Sequence, residues 1–164
     1  MRKRLVQSLI NPIIDYCDVV YGSSTTTNMQ RIVKCFNSCI RFISGLRKYD
    51  HVTAAIQELQ LLNPKNRHDL HVACLTNKVL LTGCPPYLKD ELRFLSNTET
   101  YNTRNSSVLL IPKHKHEFFK HSFKYNSITV WNELPNELKL LDDHIKFSAL
   151  ARKHFMHKQL NDVS

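Results

Sequence analysis

Glycine is scarce in this sequence, and several features that mark particular classes of protein are missing. Three glycines and six prolines among 164 residues are too few for the many turns of a β-sandwich or barrel. No apolar run approaches the ~18 residues of a membrane span, and polar residues interrupt the basic N-terminal stretch MRKRLVQSLINPII, unlike a signal peptide. We therefore expect a mainly α protein without a membrane partner: a single compact multi-helix domain over residues 1–164, with at most one short strand or hairpin.

The five cysteines do not indicate a disulfide framework, because their number is odd and no CxxC pair occurs among them. Reduced thiols are typical of proteins inside the cell, so we expect an intracellular location, with nucleus and cytoplasm left open. Cys35 and Cys39 are four residues apart and share one face of a predicted helix. We expect them to be small buried thiols.

Motifs of enzyme active sites are also missing. The chain has no Gly-rich phosphate loop and no GxSxG nucleophile elbow. His114 and His116 form an HxH pattern, but a metal site needs further ligands and none is recognisable nearby, so we interpret this stretch as a basic loop. The adjacent carboxylates Asp142 and Asp143 lie between two amphipathic patterns and are explained by helix capping. We expect no enzyme activity, no metal, no cofactor and no small-molecule substrate.

Positive charge is what the sequence has in excess. Its formal charge of +9 and pI near 9.4 favour polyanionic partners such as nucleic acid. The clearest helical pattern is TTTNMQRIVKCFNSCIRFISG, residues 25–45, whose apolar residues fall on one face. On the opposite face lie Arg31, Lys34 and Arg41. Gly45 is a natural stop for this helix, and Arg47 and Lys48 extend the positive charge beyond it.

Further helical patterns cover most of the chain, and VLLIP at 108–112 is the best strand candidate, although it is too isolated to form a sheet by itself. We predict a central core helix over 64–82, opened by the capping residue Asn63 and by Pro64 at the first helical position. The other predicted helices cover residues 2–10, 51–62, 86–95, 116–132 and 145–160, with a short restart after Pro135. Residues 96–107 are predicted to be a polar loop.

The only tryptophan lies in SITVWNELP, residues 127–135. Trp131 comes at the end of a predicted helix, in the stretch of the chain that is richest in aromatic residues. We expect Trp131 to anchor the core by packing. Asn132 and Pro135 are expected to turn the chain into the next helix.

Several stretches, read in order, resemble the C-terminal part of reverse transcriptases from non-LTR retrotransposons, the jockey-like group especially. LVQSLINPIIDYCDVVYG looks like the segment that follows the polymerase palm, and MQRIVKCFNSCIRFISG looks like the next helix. LQLLNPKNRHDLHVACLTNKVLLTGCPPYL is similar to the run that ends in Pro-Pro-Tyr-Leu. TRNSSVLLIPKHKHEFFKHSFKYNSITVWNELP is similar to the closing Trp-Asn-x-Leu-Pro pattern. The resemblance covers nearly all 164 residues, although Tyr21 and Cys17 depart from the family's usual residues.

The resemblance implies a fragment of an RNA-directed DNA polymerase that includes the thumb but lacks the palm. Asp15 and Asp18 are separated, so they are not the palm's aromatic-x-Asp-Asp motif. A thumb grips the template–primer duplex, and we expect weak, phosphate-directed binding of RNA or RNA–DNA duplex by Arg31, Lys34, Arg41, Arg47 and Lys48, with Lys113 and Lys115 second. Trp131, Pro135, Tyr16 and Gly45 are expected to be structural. The alternative is a protein-interaction or structural module derived from a transposable element, which packs on a polymerase palm or another protein.

Overall fold

The computed structural model describes residues 1–22, 24–97 and 107–161, and these are helical along most of their length. The prediction of a mainly α fold is confirmed. The chain divides into two compact units, which are described separately below: unit 1 is Met1–His68 with His154–Ser164, and unit 2 is Asp69–Lys153. The prediction of a single domain over 1–164 stays a prediction. None of the described helices combines the length and the apolar character needed to cross a bilayer.

The α-helices of the described residues are joined mostly by short connections, but a long stretch separates Glu91 from Phe123. They are α1 (Arg2–Leu5), α2 (Asn11–Asp15), α3 (Asp18–Tyr21), α4 (Thr26–Ser44), α5 (Thr53–Glu58), α6 (Pro64–Thr82), α7 (Pro86–Glu91), α8 (Phe123–Glu133), α9 (Asn136–Lys139) and α10 (His144–Asn161). A π-helical segment, Val6–Ile10, joins α1 to α2 without a break, and 3₁₀ turns occur at Leu95–Asn97 and Glu117–His121.

In unit 1, α4 buries the middle of its apolar face. Phe36 and Ile40 pack with Ala55 and Leu61 in one cluster of buried residues. Gly45 ends the helix in the left-handed conformation, with φ of 69°. The N–H of Leu46 donates to the carbonyl oxygen of Arg41 at 3.0 Å, which is the bond that closes a Schellman motif. The helix and its stop are therefore where the apolar period and the glycine predict them.

The predicted cap of α6 is also confirmed. The Asn63 side-chain oxygen accepts from the N–H of Asn66 at 2.7 Å, so that it satisfies one of the otherwise unpaired donors of the first turn. The buried amide of Gln159 holds the preceding segment from α10. Its nitrogen donates to the Leu61 carbonyl at 3.1 Å, and its oxygen accepts from the Asn63 N–H at 2.7 Å. Both contacts lie within unit 1.

In unit 2, Trp131 and Asn132 hold the segment that follows the polar loop. The indole ring of Trp131 is 2% exposed and stacks on Phe147, with 6.0 Å between ring centroids. Its Nε1–H donates to the carbonyl of Ser107 at 3.1 Å. The Asn132 amide both accepts from the N–H and donates to the carbonyl of Leu109, at 2.9 Å in each case.

This arrangement corrects the role expected for Asn132. The residue lies in the last turn of α8, and the chain leaves the helix only at Leu134. The Asn132 side chain instead binds the backbone of Leu109 as a neighbouring strand would. Pro135, which is exposed, caps α9 instead. Its carbonyl accepts from the N–H of Leu138 at 3.1 Å.

Two element predictions are wrong. The strand candidate over 108–112 is reduced to one isolated bridge between Phe94 and Leu109, because within 1–22, 24–97 and 107–161 no segment pairs with it over a greater length and the Asn132 side chain binds the Leu109 backbone. The helix expected over 116–132 breaks at Ser122, whose backbone is extended. The Ser122 hydroxyl oxygen accepts from the N–H of Tyr125 and so caps α8. Most of the predicted polar loop, residues 98–106, lies outside the described residues.

Candidate nucleic-acid interface

Unit 1 carries most of the surplus positive charge. It contains eleven lysines and arginines against five aspartates and glutamates, a formal charge of +6. Unit 2 contains twelve against nine, a formal charge of +3. The attraction for polyanions that the composition predicts is therefore concentrated in the unit that contains α4.

Arg31 and Lys34 are the two cations of α4 that are free to bind a ligand. Both side chains are exposed and lie away from the buried face of Phe36 and Ile40. Among the described residues, neither guanidinium nor ammonium group makes a hydrogen bond or an ion pair. The two residues are ~4.5 Å apart along the helix axis, and one strand of a DNA duplex carries a phosphate per ~3.4 Å of duplex axis. Two long side chains at this separation can reach neighbouring phosphates of one strand.

Arg41 has a structural task that the sequence pattern did not reveal. Its Nε and Nη2 donate to the carbonyl oxygen of Asp50 at 3.3 and 3.1 Å. The carboxylate of Asp50 in turn accepts from the N–H of Arg47 at 2.7 Å. The guanidinium thus holds the turn that follows α4 and is only half-exposed. It keeps its charge but has fewer donors for a phosphate than Arg31 has.

The turn held by Arg41 presents Arg47 and Lys48 to solvent together with an aromatic ring. Tyr49 is 86% exposed, and the Lys48 ammonium lies 5.4 Å from the centre of its ring. Exposed aromatic rings beside cations are the groups on which single-stranded nucleic acids stack. Tyr49 was not among the residues expected from the sequence, although its position between Lys48 and Asp50, in the turn after a helix, is typical of an exposed side chain.

Lys65 is a second residue that our sequence analysis missed. It is exposed at the start of α6, next to the predicted cap, and helical periodicity alone gave no reason to select it. Lys34 and Lys65 line the same open pocket in unit 1, which has a volume of about 560 Å³. Met29 and Val33 line it as well. Two elements therefore bring ammonium groups to one concave surface.

Lys113 and Lys115, the second choice of the sequence analysis, are exposed in unit 2. Between them, His114 packs against aromatic rings, 5.7 Å from Phe119 and 5.3 Å from Tyr125 between ring centroids. The structure thus uses this histidine for packing.

The two separated aspartates of the N-terminal segment, Asp15 and Asp18, are packed against other residues of unit 1. Asp15 forms an ion pair with Arg67, and Asp18 is buried. Burial, together with these two carboxylates, raises the pKa of the neighbouring Tyr21 hydroxyl. Gly22 lies directly against the His68 ring. A Cβ at this position would be 2.1 Å from that ring. Only glycine permits this approach.

Of the remaining expectations, the helix cap at Asp143 is confirmed, whereas two side chains expected to be structural or buried are exposed. Asp143 caps α10, since its Oδ1 accepts from the N–H of Ile145 at 2.8 Å, as predicted. Tyr16 is 77% exposed, so its ring does not anchor the core of unit 1. Cys35 is exposed and not buried as expected, because the surface of α4 on which it lies borders an open groove. Burial, and then the neighbouring Cys35, raise the pKa of the Cys39 thiol.

Comparison with known proteins adds no relative: no protein-family model, curated protein or solved structure matches the chain.

Proposed function

We propose that this chain is a non-catalytic nucleic-acid-binding protein whose α4 cations contact phosphates without reading sequence. The proposed partner is RNA or an RNA–DNA duplex, as the resemblance to the thumb region of a retrotransposon reverse transcriptase implies. The observation that carries the proposal is the exposure of Arg31 and Lys34, without partners among the described residues, in the unit that holds most of the surplus charge.

Folding does not require these two cations to be where they are. They lie opposite the buried face of α4, and any polar residue there would keep the helix soluble. Arg31, Lys34 and Arg41 extend over ~15 Å of helix axis, which corresponds to about four phosphates of one strand. Lys65 adds a further ammonium beside Lys34, and Arg47 and Lys48 add charge beyond the end of the helix.

The expected binding is weak and independent of sequence. Cations on one helix face and one turn contact the sugar–phosphate backbone, whereas discrimination between bases needs side chains that reach base edges in a groove. We expect dissociation constants on the order of micromolar at low salt, with affinity that falls steeply as salt rises.

The test compares two variants with the same change in charge. Arg31→Glu/Lys34→Glu removes the proposed contacts, and Arg152→Glu/Lys153→Glu makes an equal change at exposed positions of α10 in unit 2. Binding of each protein to a fluorescent RNA–DNA duplex is measured by anisotropy at about 50 mM salt, where phosphate contacts are strong. We expect the α4 variant to bind at least ~10-fold more weakly than the wild type, and the α10 variant to stay within about 3-fold of it.

Equal weakening by both variants would mean that net charge alone attracts the duplex. Absence of wild-type binding would leave the alternative, a protein-interaction or structural module. The non-catalytic part of the proposal is checked by primer extension on an RNA template with Mg²⁺. Extension by the wild type that is lost in Asp142→Ala/Asp143→Ala would contradict it.

A further inference from the structure

A second exposed surface of unit 1 is apolar and is not explained by nucleic-acid binding. Leu5, Leu9 and Ile13 follow one another at intervals of four along the N-terminal helical segment, and they are 42%, 61% and 73% exposed. Phe42, on α4, is 51% exposed. Large apolar side chains scattered singly on a surface are ordinary, but a contiguous group marks an interaction site.

Part of this group lines a groove between the N-terminal segment and α4. Its volume is about 440 Å³, with Leu5, Leu9 and Ile10 on one side and Cys35, Cys39 and Phe42 on the other. The one hydroxyl in its wall, that of Ser38, donates to the carbonyl of Lys34 at 3.0 Å. The groove therefore favours an occupant that inserts apolar side chains.

Both ends of the groove are positively charged. Arg31 precedes Cys35 by one turn on the same side of α4. At the other end, Nη1 of Arg2 donates to the Phe42 carbonyl at 3.3 Å, and its guanidinium carbon lies 5.5 Å from the centre of the Phe42 ring. Arg4, next to Leu5, is exposed as well. Carboxylates at both ends of an occupant would therefore increase its affinity for the groove.

From this combination we propose that the groove binds an acidic amphipathic helix of a partner protein. The α4 wall of the groove, from Cys35 to Phe42, extends over ~10.5 Å of helix axis, which accommodates about two turns of a bound helix. The partner would place apolar side chains at i, i+3 or i+4, and i+7 in the groove and its carboxylates toward Arg31, Arg2 and Arg4.

The same observations disfavour the other occupants. A second copy of this chain would bring the arginines of two grooves together in a symmetric contact, which like charges oppose. A bilayer takes up a convex apolar ridge, whereas the walls here enclose a concave space that receives protruding side chains. The inference does not depend on nucleic-acid binding, because the groove is formed by apolar residues that a phosphate does not contact; Arg31 alone belongs to both proposed surfaces.

The experiment uses the full chain and a fluorescent 18-residue peptide with leucines along one helical face and glutamates elsewhere. A matched peptide carries lysines in place of the glutamates. Leu9→Ala/Phe42→Ala removes two groove side chains, and Leu140→Ala/Ile145→Ala removes two large exposed apolar side chains of unit 2 as a control. All proteins are first compared by circular dichroism and thermal unfolding to establish that they are folded.

We expect the glutamate peptide to bind with a dissociation constant of tens of micromolar, since the groove is smaller than the interface of a stable complex. The lysine peptide should bind the wild type at least ~10-fold more weakly than the glutamate peptide does. The groove variant should bind the glutamate peptide at least ~10-fold more weakly than the wild type does, and the control variant should bind it like the wild type. Bound peptide should also slow alkylation of Cys35, followed by mass spectrometry of the labelled segment. The groove variant should still bind the RNA–DNA duplex like the wild type.

Three results would overturn the proposal. The first is equal binding of the two peptides, or equal weakening by the groove and control variants. The second is concentration-dependent dimerisation in sedimentation, abolished by Leu9→Ala/Phe42→Ala, which would identify a second copy as the occupant. The third is absence of glutamate-peptide binding to the wild type; binding to anionic phospholipid vesicles that the groove variant abolishes would then identify a bilayer as the occupant.

Discussion

Trp131 and Asn132 show how much a short motif reveals and where it stops. A lone tryptophan in an aromatic-rich stretch predicts burial, and the ring is buried. Its partner, however, is Phe147 on α10, while Phe118, close to it in the sequence, is 86% exposed. Which rings meet depends on how the elements pack. The bond of Asn132 to Leu109 is likewise a contact between residues far apart in sequence, and local propensity does not encode it.

Replacing Trp131 by alanine should destabilise the protein strongly. The substitution removes the stacking on Phe147, leaves a cavity and deprives the Ser107 carbonyl of its donor, so we expect a loss of ~3–5 kcal/mol in the free energy of unfolding. Urea denaturation followed by circular dichroism measures it. A loss below about 1 kcal/mol would show that the indole does not anchor unit 2.

Asn132→Asp tests the amide contact with almost no change in shape. The aspartate keeps an acceptor for the N–H of Leu109 but faces the Leu109 carbonyl with an oxygen instead of a donor. We expect a loss of ~1–3 kcal/mol at neutral pH, the typical cost of an unpaired buried polar group. Asn136→Asp, at an exposed position, is the control and should be nearly neutral. Equal stabilities of the two variants would contradict the proposed contact.

The helix α4 was the element that could be predicted best, because its apolar period, its glycine and its polar face agree. The structure adds what the pattern lacks, namely which cations are free. Arg41 belongs to the same stripe as Lys34 in sequence, yet it binds the Asp50 carbonyl across a turn whose geometry no periodicity predicts. The strand candidate over 108–112 was not confirmed, because an apolar run needs a partner segment to form a strand, and in the part of the chain that the structure describes it pairs at Leu109 alone.

Tyr49, in the turn that follows α4, should distinguish single strands from duplexes. Its exposed ring, beside Lys48, offers a stacking surface to an unpaired base but not to a base inside a duplex. We expect Tyr49→Ala to weaken binding of a single-stranded RNA about 5- to 10-fold, the lower range for one stacked base, and to leave duplex binding unchanged. Anisotropy titrations with both ligands measure this. If both affinities fall by the same factor, the ring supports the turn and does not stack on bases.

Charge is distributed unequally between the two units, and this inequality underlies the functional account. Most of the surplus lies in unit 1, where α4 presents Arg31 and Lys34 to solvent and also contributes a wall of the apolar groove. Composition alone predicted the attraction to polyanions. It did not predict the groove, because the exposure of Leu9 and Phe42 becomes visible only when the packing of the two segments is known.

The most direct test of the account is the salt dependence of duplex binding by single variants. Each cation that contacts a phosphate releases a counterion, so its loss should reduce the slope of log K against log salt by about one. We expect this reduction for Arg31→Gln and for Lys34→Gln, and an unchanged slope for Arg152→Gln. If all three variants keep the wild-type slope, or all three lower it equally, Arg31 and Lys34 are not phosphate contacts and the account is wrong.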